Sequence, residues 1–201
     1  MVKIAVDVVL LPSQEMMDSA IEANGKLLEQ RAGGITLDKE SCLPHISLAM
    51  GCMDKRDIAN IKKILQIVAK NHSPGRLTVV GVHTETDSAG EEVSVFKIKK
   101  TQRLQSLHEA VMRRLSPHFS YEVTAEMVLP PPAANQSTLA WIKNYPEKSS
   151  FENFSPHITV GYGRITVFSS PVEFTASQLA LCHLGNFCTC RKVLATEELK
   201  S

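Results

Sequence analysis

The sequence predicts an α+β fold built on an antiparallel or mixed sheet. Three observations carry this. Strand-like segments and helical patterns follow one another without a strict strand–helix repeat. A turn signal, Asp87-Ser88-Ala89-Gly90, joins two neighbouring strand segments into a hairpin. One short strand phrase, "LPHISLAMG" at 43–51, returns far downstream as "SPHITVGYG" at 155–163, one copy in each half of the chain.

The elements read as follows. "VKIAVDVVLL" near the start is a strand. "SQEMMDSAIEANGKLLEQRAG" is a helix, with Ser13 as N-cap after Pro12 and a stop at Gly33-Gly34. The first copy of the phrase is a strand. "DKRDIANIKKILQIVAKNH" places Ile58, Ile61, Ile64, Leu65 and Val68 at helical spacing, with Asp54 or Asp57 as cap. "RLTVVGVHTET" and "EVSVFKIKK" form the hairpin. "TQRLQSLHEAVMRRLS" is a third helix, stopped by Pro117. "MVLPPPAANQS" is a loop, because three prolines remove backbone donors and fix φ. "STLAWIKNYP" is a short helix and the second copy of the phrase is a strand. "EFTASQLALCHLG" and "CTCRKVLAT" close the chain as an antiparallel pair.

Length and composition bound the possibilities. The chain has 201 residues and is 43% hydrophobic, enough for one substantial core, so residues 1–201 read as a single domain. With 22 basic and 21 acidic residues it lacks the basic excess of a protein that grips long nucleic acid. The apolar start is interrupted by Lys3 and Asp7 and has no small-residue cleavage site, so it reads as a strand rather than a leader. No apolar run reaches the ~18 residues of a membrane span. Five cysteines, an odd number, argue for reduced thiols in a cytoplasm. "CHLGNFCTC" lacks the second ligand pair of a closed zinc site; Cys188 and Cys190 share one strand face, and Cys182 reads as a small core residue.

The repeated phrase carries the chemistry. On a strand, residues i and i+2 share a face. His45 and Ser47 therefore point one way, as do His157 and Thr159. Beyond them on the same face lie Ala49 and Gly51 in one copy, Gly161 and Gly163 in the other, a small-residue floor expected to line a cleft. Ile46, Leu48 and Met50, like Ile158, Val160 and Tyr162, point the opposite way. Two imidazoles and two hydroxyls around one cavity suit chemistry at phosphorus. An imidazole, with an ordinary pKa near ~6.5, can take a proton from a nucleophile or give one to a leaving oxygen. The hydroxyls of Ser47 and Thr159 can donate to phosphate oxygens. No metal is required.

His45-Ile46-Ser47-Leu48 and His157-Ile158-Thr159-Val160 resemble the paired His-x-Thr/Ser-x motifs of the two-histidine phosphoesterase superfamily, which includes the 2′-5′ RNA ligase and cyclic phosphodiesterase families. The resemblance covers most of the chain. It implies a bilobal, pseudo-symmetric fold, with two antiparallel sheets flanking a cleft, helices outside, and one motif per lobe. It implies His45 and His157 as catalytic acid and base in an unassigned order. It implies RNA ends or small nucleotides bearing a 2′,3′-cyclic phosphate or a 2′-5′ linkage as substrates, hydrolysis as the preferred reaction, and 2′-5′ ligation as its reverse. No cofactor and no metal are implied. A monomer is expected. The rival reading is a binding module that keeps the fold and holds a nucleotide or RNA end without turnover.

The other histidines read as structural: His72, His108 and His118 on or after helices, His83 and His183 on strands. Phe96, Trp141, Tyr145, Phe151 and Phe154 are candidate stacking residues, with core packing the expected role of the Trp141 and Tyr145 pair. Arg76, Lys97 and Arg164 are candidate phosphate contacts, Arg164 pointing away from His157 by strand parity.

Overall fold

The structure is a computed structural model that describes residues 2–30, 33–86, 90–165, 168–169 and 171–200. The Asp87-Ser88-Ala89 part of the expected hairpin turn lies outside the described residues.

Among the described residues, eight strands form two four-stranded sheets. The first sheet has the order β2-β1-β7-β8 and comprises β1 (Lys3–Pro12), β2 (Ile46–Asp54), β7 (Ala176–Leu184) and β8 (Cys190–Glu198). The second has the order β5-β4-β3-β6, from β3 (Leu77–Thr86), β4 (Glu92–Ile98), β5 (His157–Tyr162) and β6 (Val172–Phe174). Among the described residues every pairing between these strands is antiparallel, so the mixed alternative is not seen among them. The closing segment "EFTASQLALCHLG" splits: β6 joins the second sheet, while β7 returns to the first and pairs with β1 and β8.

Among the described residues, four α-helices cover these sheets: α1 (Gln14–Gln30), α2 (Ile58–Asn71), α3 (Gln102–Leu115) and α4 (Gln136–Lys148). Each presents an apolar stripe. In α3, Leu104, Leu107, Val111 and Leu115 are fully buried, at spacings of three and four that keep them on one face. Thr101 caps α3, its Oγ1 accepting from the Leu104 amide at 3.2 Å. Ser13 precedes α1, but its hydroxyl has no hydrogen-bond partner, so the expected side-chain cap is not made. Asp54 caps a 3-10 turn (Lys55–Asp57) leading into α2, and Asp57 makes no cap bond. Pro146 does not end α4, which runs on to Lys148.

Two of the helices are exchanged between the sheets. α1 follows a strand of the first sheet yet packs on β5 of the second; α3 follows a strand of the second sheet yet packs on β2 of the first. β2 and β5 are the edge strands that carry the two copies of the repeated phrase, and they approach each other. The fold is thus pseudo-symmetric, with the two phrases meeting at its centre.

Two expectations about cysteine are corrected. Cys182 and Cys190 are joined in a disulfide, because the antiparallel β7–β8 pair brings their Cα atoms to 5.4 Å. The count carries no information on which strands lie side by side, and the expectation of reduced thiols does not hold for this pair. Cys188 does not share a strand face with Cys190; it sits in a 3-10 turn (Asn186–Cys188) with φ +54°.

Candidate active site

A β-bulge follows the hydroxyl residue in each phrase. In the first, Val9 pairs with Ser47 and Val8 with Ala49, leaving Leu48 unpaired. In the second, Val95 pairs with Thr159 and Ser94 with Gly161, leaving Val160 unpaired. An extra residue reverses the alternation of faces beyond it. This overturns the small-residue floor. Ala49 and Gly51 face the helices: Ala49 is fully buried opposite Val8, and a Cβ on Gly51 would strike the Phe119 ring. Gly161 and Gly163 face α1, near Asn24 and Leu27. The residues lining the cavity beyond the hydroxyls are Met50 and Tyr162, both expected to point away.

Each bulge is held by a buried polar side chain from the exchanged helix. On α3, His108 Nδ1–H donates to the Leu48 carbonyl at 2.8 Å and Nε2 accepts from the Phe151 amide at 2.7 Å. On α1, Asn24 Nδ2 donates to the Val160 carbonyl at 2.8 Å and to Ile35 O at 2.9 Å, and Oδ1 accepts from the Leu37 amide at 2.9 Å. Both side chains thus tie the unpaired residue of one phrase to the segment preceding the other. An isolated polar residue on a helix face gives no sequence signal for this.

His45, Ser47, His157 and Thr159 line one cavity of about 350 Å³ between the sheets. His45 Nδ1 lies 2.7 Å from the Leu43 carbonyl, and His157 Nδ1 2.8 Å from the Ser155 carbonyl. A carbonyl only accepts, so each Nδ1 carries the hydrogen and each neutral ring keeps a lone pair on Nε2. Burial lowers the pKa of both imidazoles. That of His45 falls to about 4, with the Leu43 carbonyl opposing the shift and a charge on His157 adding to it. For His157, burial is opposed by the Ser155 carbonyl and Glu85, while Lys97 adds to it. Burial thus favours the uncharged form of both rings.

Asp7, absent from the expected site, lies beneath His45. It is fully buried on β1, opposite Met50, with Oδ2 4.0 Å from His45 Nε2. Burial drives its pKa well above the carboxylate range, although the Ser47 hydroxyl and the Ala49 amide pull it down. Its place in an apolar strand sequence gave no sign that a cavity wall lay beside it.

α4 and the turn before β8 form the remaining wall. Asn186 Oδ1 accepts from the Asn135 amide at 2.9 Å and the Thr138 hydroxyl at 2.7 Å, which docks α4 on that turn. Trp141, expected in the core, is 46% exposed and lines the cavity, because this face of α4 looks across the cleft; Tyr145 lines it too and is buried. Phe187, at φ +61°, meets Tyr162 edge-on with ring centres 5.3 Å apart. Phe154 lines the cavity, Phe151 packs against the core and Phe96 lies within it. Arg76 pairs with Glu173 and Arg164 with Glu92, and Lys97 bonds the Ser155 hydroxyl. His83 and His183 are outside the cavity lining, His183 bonding the Met127 carbonyl.

Comparison with known proteins agrees with this architecture. No curated protein is significantly similar in sequence. TT0787 of Thermus thermophilus superposes with a TM-score of 0.59 at 15% identity, covering 98% of each chain. Escherichia coli LigT in its apo form gives 0.57 at 13% identity, with all of each chain covered. LigT complexed with phosphate gives 0.53 at 12% identity over 99% of each chain. These likenesses establish the fold. Residues 39–183 match the profile of the 2′-5′ RNA ligase superfamily, a span that includes both histidine phrases. The chain belongs to the 2′-5′ RNA ligase superfamily, whose two-histidine phosphoesterase fold it adopts.

Proposed function

We propose that the protein is a phosphoesterase that opens 2′,3′-cyclic phosphates, or cleaves 2′-5′ linkages, on small nucleotides or RNA ends by two-histidine acid–base catalysis. One observation carries the reading: two imidazoles whose Nδ1 atoms are anchored on carbonyls, leaving the Nε2 lone pairs to accept, share one cavity with the Ser47 and Thr159 hydroxyls. In hydrolysis, one Nε2 takes a proton from water as the water oxygen attacks phosphorus. The other ring, protonated, gives its proton to the ribose oxygen as the P–O bond breaks. The hydroxyls donate to the non-bridging oxygens, where charge accumulates. Ligation is the same displacement with a 5′-hydroxyl in place of water: it attacks the cyclic phosphate, the ribose 3′-oxygen leaves with the acid's proton, and a 2′-5′ linkage remains. These steps need no metal.

The cavity volume falls in the range of small-molecule sites, and Trp141 offers a half-exposed ring for a base to stack on. Structures of LigT with phosphate, NADP+ and 3′-AMP support a nucleotide-type ligand for this shared fold. The test is turnover by purified protein in chelator over 2′,3′-cyclic nucleotides and 2′-5′ linked dinucleotides. Hydrolysis is expected, with His45→Ala and His157→Ala each losing most of it. Binding without turnover in the intact protein would refute the enzyme reading and favour a binding module.

A further inference from the structure

We propose that Asp7 supplies the proton that makes His45 the general acid, leaving His157 as the general base. The inference rests on the phosphoesterase reading above. Asp7 sits at the centre of β1, is fully buried, and neither carboxyl oxygen has a partner at full hydrogen-bond geometry. Among the described residues, the basic group within 4.0 Å of it is His45. The pseudo-symmetry makes the placement informative. Asp7 pairs with Met50, just past the first bulge, and Val93 pairs with Tyr162, just past the second. Val93 therefore holds the corresponding register position beside the other phrase, so the strand next to the first phrase places a carboxyl there and the strand next to the second a hydrocarbon; the carboxylate that acts on His157, Glu85, comes from β3.

The charged and titratable surroundings differ accordingly. Facing the Asp7 carboxyl are His45, the Ser47 hydroxyl, Tyr145 from α4 and Cys188 from the turn before β8. Burial raises the pKa of the tyrosine and the cysteine, so neither is a proton donor to be reckoned with before Asp7, nor a competing charge. His157 faces Glu85 from β3, Lys97 from β4 and His45. Glu85 and Lys97 act on it in opposite senses.

With both rings neutral, the site has two bases and no acid. The shared proton rests on the Asp7 carboxyl. When an anionic phosphate enters, it favours a positive ring beside it. A turn of the Asp7 side chain brings Oδ2 from 4.0 Å to hydrogen-bond distance of Nε2; the Asp7 O–H bond then breaks and an Nε2–H bond forms on His45, leaving a carboxylate next to an imidazolium. His45 passes that proton to the leaving ribose oxygen as its bond to phosphorus breaks. His157 takes one proton from the attacking water. After product leaves, His157 releases its proton to solvent and the Asp7–His45 pair regains one. The balance is one water added across one P–O bond.

The experiment uses Asp7→Asn and Asp7→Val, the second copying Val93. Removing an unpartnered buried carboxyl should leave the melting temperature unchanged or raised. On 2′,3′-cyclic AMP, whose leaving alkoxide needs a proton, kcat should fall roughly 10²- to 10⁴-fold. On bis(p-nitrophenyl) phosphate, whose leaving phenolate does not, it should fall less than about tenfold, whereas His157→Ala should impair both. An equal loss on both substrates, or no loss on either, would overturn the assignment. Inactivity of the intact protein on both would instead defeat the phosphoesterase reading. The proton assignment then rests on nitrogen NMR of the His45 ring at inorganic phosphate concentrations that shift its resonance. The ring should titrate at least about one pH unit higher in the intact protein than in Asp7→Asn. Identical titrations in the two proteins would sink the proposal.

Discussion

Replacing His108 with leucine should destabilise the protein more than any loss of shape suggests. The ring is fully buried and bonded at both nitrogens, to the Leu48 carbonyl at 2.8 Å and the Phe151 amide at 2.7 Å. It also stacks flat on Phe154, ring centres 4.0 Å apart. Leucine fills much of the space but leaves a carbonyl and an amide without partners, at roughly 1–3 kcal/mol each. The lost stacking adds about 0.5–1.5 kcal/mol. A total of about 2.5–7.5 kcal/mol is a large share of a typical domain's ~5–15 kcal/mol. The pH dependence provides a second measure. Burial lowers the His108 pKa to about 4 from 6.5. The unfolded chain therefore takes up a proton as pH falls below 6.5, while the folded form resists until about 4. The stabilisation is full above 6.5 and is lost through that window, at up to about 1.4 kcal/mol per pH unit. Urea unfolding at pH 7.5 and pH 5 measures both quantities. The gap between intact protein and His108→Leu should narrow at pH 5, and His108→Asn, which keeps a donor, should lie between them. A loss below about 1 kcal/mol at pH 7.5, or a gap that does not narrow, would refute the bracing role.

Three further outcomes follow from the same geometry. Gly161→Ala should weaken folding and disturb β5, since Gly161 has φ +156° and a Cβ there would lie 2.8 Å from Asn24 Nδ2; wild-type thermal stability in this variant would show that Asn24 does not brace the second bulge. Ala49→Leu should destabilise by about 1–3 kcal/mol through overpacking, because Ala49 is buried on the helix side of β2; a stable variant that had merely lost substrate binding would restore Ala49 to the cleft. Trp141→Ala should raise KM for a nucleotide substrate several-fold with little change in melting temperature, because the ring is half exposed over the cavity; unchanged KM would exclude stacking there.

Much of the candidate site is legible in the sequence because it lies in two short, nearly identical phrases. Proline, histidine, an apolar residue and a hydroxyl recur in both, and residues two apart on a strand must share a face. That local rule places His45 with Ser47 and His157 with Thr159, and all four line the cavity. The same rule fails immediately afterwards. Ala49 and Gly161 turn to the helices because each strand gains an unpaired residue, and a bulge depends on the register with a neighbouring strand. The Trp141 error has a similar origin: spacing puts Trp141 and Tyr145 on one face of α4, but only the docking of α4 through Asn186 decides that this face borders the cleft.

By itself, the sequence determined the α+β class, the order of strands and helices as far as β5, and the pairing of two imidazoles with two hydroxyls. These follow from period-2 and period-3.6 patterns and from chemistry held within a few consecutive residues. Only the tertiary structure decided that β7 returns to β1, that Cys182 meets Cys190, and that Asn24 and His108 cross to brace opposite phrases. It alone decided that Asp7, one acid in an apolar strand, lies 4.0 Å from His45 and has Val93 as its counterpart. Contacts between residues tens of positions apart are chosen by how whole elements pack, and a local pattern carries no record of that choice.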